Sequence, residues 1–480
     1  MNFHDIVTPV RRRVREEEGA VNKTAPFRVA LCYPAPYPVA MSSLGFQTIY
    51  REINLHPAAA AERAFLPDCP DVYRKSRTPV FTYETETPVS SFPVVAFSIA
   101  YEPELPGLIE MLHLGGIPPL RNDRTGKHPL VVAGGPLTLS NPLVLAPFVD
   151  MIVVGEGEEL IHRILDAAAG TGKGDLPACF SEVPGCLVPG LTRGVPKPAR
   201  AADDRLPAFS RIITPQAVLS SMFLIEPERG CSRDCAYCVM RRTSGGMRVV
   251  PAEKVLSLLP ENARRVGLVG AAVTDHPEIK RLVHDVVAGG REIGVSSLRA
   301  DRLDEELVRL LARGGCRTLT TAADGASQRL RDSVDRSTTE EHLIRAAGLV
   351  RVAGMQRLKL YAMIGLPGET MEDIDELIGF SRELARIAPL SLSIAPFVAK
   401  RNTPLDGSPF EAIPSQTRKI ARIRAGLKAK ADVKPASPRW AWVEYMLSQG
   451  GESAGLAAYD AWKSGGSFAA WKRAFSDRGE

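Results

Sequence analysis

Apolar residues along this chain fall into short unbroken runs separated by stretches with helical spacing. FRVALC (27–32), PVVAFSIA (93–100), PLVVAGG (129–135) and DMIVVGEG (150–157) read as buried strands. Between them, helical patterns fall at 47–53, where Ser42 or Ser43 can cap, and at 104–114 and 157–169. Strands alternating with helices predict a doubly wound, Rossmann-like α/β sheet covered on both faces. A Gly- and Pro-rich stretch with little periodicity follows, and then a second series. Its strand runs are SMFLIEP (221–227), RVGLVG (265–270), IGVSS (293–297), RTLTT (317–321), LKLYAMIG (358–365) and LSLSIAPF (390–397).

The gaps of this second series carry helical signals. Ile279, Leu282, Val283, Val286 and Val287 share one face, stopped by Gly289-Gly290. Leu303, Leu307, Leu310 and Leu311 mark another, stopped by Gly314-Gly315, and Thr338 with Glu341 reads as a capping box. Six β/α units predict a barrel short of the eight that close a complete one. The organisation expected is therefore a mobile charged leader (1–25), an α/β domain (26–170), a linker (171–215), a partial (β/α)6 barrel (216–405) and a helical appendage (406–480) capping it.

Composition narrows the class. The 480 residues are 45% hydrophobic and 24% charged, which excludes disorder throughout. No apolar run approaches the ~18 residues that span a bilayer, and the first twenty residues lack a secretory pattern, so a cytoplasmic protein is expected. A net charge of +5 over this length argues against nucleic acid as a partner. The eight cysteines are too sparse for a disulfide scaffold.

Three of the eight cluster in IEPERGCSRDCAYCVMRR (225–242), where Cys231, Cys235 and Cys238 have the spacing C-x3-C-x2-C. The loop after a barrel strand lies on the face where active sites are built. Thiolates are the soft ligands of iron–sulfur clusters. Four would satisfy every iron of a cubane, and three leave one iron open. Zinc is the competing reading, but it needs a fourth ligand, and the nearest downstream His is His276. Cys179 and Cys186, in the linker, read as structural or incidental and not as metal ligands.

This segment resembles the signature of the radical S-adenosylmethionine (SAM) superfamily, with Tyr237 as the aromatic before the last cysteine. The resemblance, over about residues 215–405, implies a 4Fe-4S cluster on Cys231, Cys235 and Cys238. It further implies SAM held on the open iron through its amino and carboxylate groups and split by one electron to a 5′-deoxyadenosyl radical. An electron donor such as flavodoxin or ferredoxin is implied as a partner. On this resemblance Tyr237, Gly270, Arg299 and Asp324 are SAM contacts at successive strand ends. GLPGET (365–370) and PFVAKRNTPL (396–405) match further family runs, whereas a Gly-Gly-Glu motif after the second strand is replaced by VGAAVTD.

The first block resembles the cobalamin-binding (B12) type domain of one branch of the superfamily in YPAPYPVAMSSLGFQTIY (33–50), AFSIAYE (96–102), VVAGGPLTLSNP (131–142) and GEGEE (155–159). Glycines at strand ends let a flat or phosphate-bearing ligand approach the backbone. Gly134, Gly135, Gly155, Glu156 and Gly157 are accordingly the candidate cobalamin contacts. The D-x-H-x-x-G element that supplies a cobalt ligand is absent, and His56 stands in NLHPAAA. With cobalamin, methyl transfer to an unactivated carbon or phosphorus is the expected reaction. Without it, radical rearrangement or oxidation is the alternative. Methylthiolation ranks lower, because the first block holds only Cys32 and Cys69 of the three further cysteines that branch carries. A non-catalytic iron–sulfur or zinc redox sensor is the reading from another class. In the tail, the basic helix 418–430 is expected to be a solvated face, and the four tryptophans, all between 440 and 471, to pack a cap. No catalytic residue or substrate is selected by the sequence.

Overall fold

The computed structural model describes residues 3–170, 175–240 and 245–480. The first linker residues (171–174) and the end of the quoted cysteine segment (241–242) lie outside them. The chain falls into two compact units, Met1–Phe223 with Gly450–Glu480, and Leu224–Gln449.

The first unit is built on a six-stranded sheet of β1 (Phe27–Tyr33), β2 (Ala59–Phe65), β3 (Val94–Ser98), β4 (Leu130–Gly134), β5 (Met151–Val153) and β6 (Cys186–Leu187). The order is β2-β1-β3-β4-β5-β6. The first five strands run parallel, and β6 returns antiparallel to β5. After β1 the chain goes out to β2 and back across to β3. The strand order therefore reverses between β1 and β3, and a doubly wound sheet opens its ligand crevice beyond the carboxyl ends of such a pair.

Two expectations are corrected here. Residues Phe3–Arg15 form a helix, not a mobile leader, and Ile6, Val7 and Val10 are buried in the core of this unit. Glu18 pairs with Ile213 through two backbone hydrogen bonds of 2.9 Å. The linker, read as carrying short strands, supplies the two-residue strand β6. The appendage divides: the helices Glu452–Lys463 and Phe468–Asp477 belong to the first unit. The Asn141 side-chain amide donates to the Gly450 carbonyl at 2.8 Å, and the Trp462 indole N–H donates to Glu110 at 2.8 Å.

The second unit carries β7 (Met222–Ile225), whose first residues fall at the boundary, a short hairpin of β8 (Glu228–Arg229) and β9 (Arg248–Val249), then β10 (Arg265–Leu268), β11 (Glu292–Val295), β12 (Thr318–Asp324), β13 (Arg357–Ile364), β14 (Leu390–Pro396) and β15 (Asp432–Pro435). One sheet has the order β11-β10-β7 and another β12-β13-β14-β15. An isolated parallel bridge between Leu298 and Thr321 joins them. All six strands expected for the barrel are present, and β15 adds a seventh. The capping box shifts by one residue, to Thr339 with His342. The segment 418–430 is helical to Gly426 as expected, but it is not simply a solvated face. Lys419 is buried and reaches Glu369 and Glu411, each at 2.7 Å.

Candidate active site on the cysteine loop

The strand β7 delivers the chain to the three-cysteine loop, which backbone hydrogen bonds hold from two sides. Ala236 N–H donates to the Val334 carbonyl, 3.0 Å away in the segment after β12. The Ala236 carbonyl accepts Leu405 N–H at 3.3 Å, from the run after β14. Cys235 is buried, and Cys231 and Cys238 are half-buried. Burial pushes the Cys231 and Cys238 thiols up, and each lies close enough to its fellow cysteines for their charges to add to that rise. Against it, Arg233 N–H is donated to Cys231 and Met240 N–H to Cys238.

These residues fit the implied cluster by the chemistry of their donor set. They are three thiols of one loop, each within electrostatic reach of the others, with backbone N–H groups already turned onto two of them. Among the described residues no three His, Cys, Asp or Glu side chains stand ready to share a single metal ion.

Two of the expected SAM contacts meet each other. The Tyr237 hydroxyl donates to Asp324 Oδ2 at 2.5 Å, and Arg336 pairs with the same oxygen at 3.0 Å. Burial and the Asp324 charge push the Tyr237 phenol far up. Although burial opposes it, the Arg336 guanidinium is held high by Asp324, Tyr237 and Cys235, to which it also hydrogen-bonds. Asp324 has φ +65° at an irregularity in the β12–β13 register. A non-glycine residue in the left-handed region is uncommon and clusters at functional sites.

The other two are placed differently. Arg299 is buried and lies 2.9 Å from Asp301 and 3.4 Å from Asp275. Arg233, within the cysteine loop, joins the same group at 3.0 Å from Asp301. Gly270 faces a side chain: a β-carbon there would lie 2.2 Å from Glu228 Oε1. Glu228 was within the quoted cysteine segment but not singled out; its position just before Arg229-Gly230-Cys231 was the available signal. Arg336 was missed as well, since nothing in its local sequence marks it. In GLPGET, Glu369 accepts Gly365 N–H at 2.8 Å and the Lys419 ammonium at 2.7 Å.

In the first unit the candidate glycines sit at the ends of β4 and β5. A β-carbon on Gly135 would meet the Ile99 carbonyl at 2.5 Å, and one on Gly155 the Ala199 carbonyl at 2.5 Å. Gly134 lies against Val153 and Gly157 against Ile49. The Glu156 carboxylate accepts Ala201 N–H at 2.8 Å. These positions therefore face the unit's own chain. The crevice between β1 and β3 is bordered by 34–43 and 99–104, two of the stretches that carry the resemblance. Val39 (43% exposed) and Tyr101 (50% exposed) are open there, and Glu104 is buried and accepts Ala100 N–H at 2.7 Å.

An α/β unit of this order, joined to an incomplete barrel with three thiols after its first strand, defines a two-domain iron–sulfur enzyme class. The family model described as radical SAM proteins, N-terminal, matches residues 45–189, and the radical SAM superfamily model matches residues 225–381. The chain belongs to the radical SAM superfamily, whose members use a 4Fe-4S cluster and SAM.

It is 26% identical over 411 residues to an uncharacterized protein of Methanocaldococcus jannaschii, covering 83% of each chain. It is 25% identical over 272 residues to an uncharacterized methyltransferase of Pyrococcus horikoshii, covering 53% of this chain and 58% of that one. It is 26% identical over 223 residues to the ribosomal protein uS12 methylthiotransferase RimO of Geobacter sulfurreducens, covering 42% and 48%. The chain spans about half the length of these two transferases. Among solved structures it is similar to the radical SAM methyltransferase TsrM from Kitasatospora setae with cobalamin and a 4Fe-4S cluster bound. The TM-score is 0.56 at 16% identity, over 79% of this chain and 73% of that one, which is a likeness of fold. Among the described residues no helix is long and apolar enough to cross a membrane.

Proposed function

We propose that this protein is a cobalamin-dependent radical SAM methyltransferase. Cys231, Cys235 and Cys238 would hold the cluster, and the first unit would bind cobalamin in the crevice between β1 and β3. The observation that carries the reading is the pairing of a three-thiol loop after the first barrel strand with a doubly wound sheet whose reversal point is bordered by exposed Val39 and Tyr101. A flat macrocycle needs such an apolar rim more than a polar one. The methyltransferase likeness in sequence and the fold likeness to a cobalamin-bound enzyme support it.

When bound, the cluster would supply one-electron reducing chemistry toward SAM, and cobalamin would supply methyl-carrying chemistry. The chain's own residues have narrower tasks. Tyr237 and Asp324 fix the end of β12 beside the cysteine loop. Arg336 offsets negative charge at Cys235. Arg299 and Arg233 present guanidinium groups, balanced by Asp275 and Asp301, where a carboxylate of SAM could exchange for an aspartate. A reducing protein such as flavodoxin or ferredoxin would deliver the electron.

Protein assembled anaerobically with iron, sulfide and supplied cobalamin should contain about four irons and one cobalt per chain. On reduction it should convert SAM to 5′-deoxyadenosine or methylate an acceptor. Cluster and turnover without cobalt would leave the cobalamin-independent rearrangement or oxidation. A cluster spectrum without SAM cleavage would point to a redox sensor, and zinc in place of iron would end the reading.

A further inference from the structure

Glu228, on β8, is 1% exposed. Its Oε1 accepts Ala272 N–H at 2.8 Å, and the Ala271 amide donates to the carboxylate as well. Oε2 is buried and has no hydrogen-bond partner among the described residues. Leaving a buried carboxyl oxygen unpaired costs about 1–3 kcal/mol, and more once it ionises, so such an atom calls for a partner from elsewhere. The neighbouring cations have other partners: Arg229 pairs with Glu226 at 2.6 Å, and Arg299 and Arg302 each lie 3.4 Å from Asp275. Space is reserved for the group too, since any side chain at position 270 would collide with Oε1. Gly270 has no positive φ, so what a side chain there would disturb is this carboxylate and not the backbone conformation.

The location limits the donor. Glu228 precedes Cys231 by three residues, and its carboxylate bridges to the loop after β10. The cluster loop begins three residues on, so a ligand seated there is a source for the missing donor. We infer that Glu228 Oε2 accepts the amino group of bound SAM, so that this chain grips the amino-acid end of SAM from the hairpin that precedes its first cluster cysteine. The inference rests on the radical SAM reading. It also gives the carboxylate that VGAAVTD does not provide after β10 a source on the neighbouring strand.

The test is a binding cycle with SAM and its deamino analogue on anaerobic, cluster-loaded protein. Calorimetry and the paramagnetic resonance spectrum of the reduced cluster report binding, and iron and sulfide content confirms loading. Wild type should prefer SAM by more than ~10-fold, the low end for a hydrogen bond to a charged group. Glu228→Gln should lower that preference ~10-fold or more while keeping the cluster. If Glu228→Gln does not take up iron, Gly270→Ala carries the same measurement, because its methyl group displaces the carboxylate. An unchanged preference in the loaded variant, or equal binding of the two compounds by wild type, overturns the role of Glu228 alone. Cluster-loaded wild type that binds neither compound overturns the SAM reading with it.

Discussion

In the SAM-free protein, Glu228→Gln should have an effect on stability that grows with pH. Burial, with Glu226 and Asp275 adding, pushes the Glu228 carboxyl from the ordinary 4.5 up to about 7, against the Ala272 and Ala271 amides. The folded state thus keeps a proton that the unfolded state releases between those values. Stability therefore falls as pH rises from about 4.5 to about 7 and levels off above. A rise of that size converts to about 3 kcal/mol. Glutamine does not ionise and escapes the loss. It does bury an amide with its own unmet donors, a penalty of about 1 kcal/mol at every pH. The quantity to measure is the difference between variant and wild type at pH 8 minus that at pH 5, from which the constant penalty cancels. Hydrogen exchange in graded urea, read on peptides from 224–449, isolates this unit from the other. The variant should gain about 2.5 kcal/mol relative to wild type across that range, since the unfolded carboxyl is already largely ionised at pH 5. Curves that stay parallel within about 0.5 kcal/mol would refute the reasoning, since the carboxyl would then titrate as it does in the unfolded chain.

Three further outcomes are expected. Cys231→Ser, Cys235→Ser and Cys238→Ser should each lose iron and 5′-deoxyadenosine formation, whereas serine at the exposed Cys69 and Cys179 should leave iron content unchanged. Asp324→Asn, which still tolerates the left-handed backbone, should let the Tyr237 phenol fall toward its ordinary range in an ultraviolet titration; Asp324→Ala should cost about 1 kcal/mol more in unfolding experiments. Glu17→Gln should destabilise the first unit by about 3 kcal/mol, seen as faster hydrogen exchange of peptides from 27–65, because Arg63 loses half of its buried counter-charge.

The barrel was readable because its strands are apolar runs of four to eight residues between turn signals. β15 was not: Asp432-Val433-Lys434-Pro435 is an edge strand, and edges carry charge and proline to discourage further pairing. β2 and the N-terminal helix were missed together, for a common reason. AAAERAF has the composition of a helix, yet every residue of it is buried. Arg63 is accommodated there by Glu17 at 2.7 Å and Glu84 at 2.6 Å, and Glu62 by Thr82 at 2.7 Å and Arg28. The counter-charges for Arg63 lie 46 and 21 residues away, so no local window contains the reason that β2 is a strand. The cysteine site divides along the same line. The ligands are adjacent in sequence and were legible, while Arg336, which answers Cys235 and Asp324, arrives from a distant loop.

The charges around the cysteine loop do not balance evenly, and the imbalance is informative. Asp324 has Arg336, Asp275 has Arg299, Arg302 and Arg233, Asp301 has Arg299 and Arg233, and Glu226 has Arg229. Among the described residues, Glu228 alone of these acids has backbone amides on one oxygen and neither hydrogen bond nor ion pair on the other. Three thiolates gathered on one loop would add more negative charge, and Arg336 at Cys235 answers only part of it. A loop arranged in this way favours a ligand that brings a positive centre and N–H donors together with a carboxylate, and an amino-acid sulfonium has all three. An uncharged ligand would leave Glu228 unanswered. The selectivity for SAM would thus lie in Glu228, the acid of this loop whose free oxygen has neither hydrogen bond nor ion pair among the described residues.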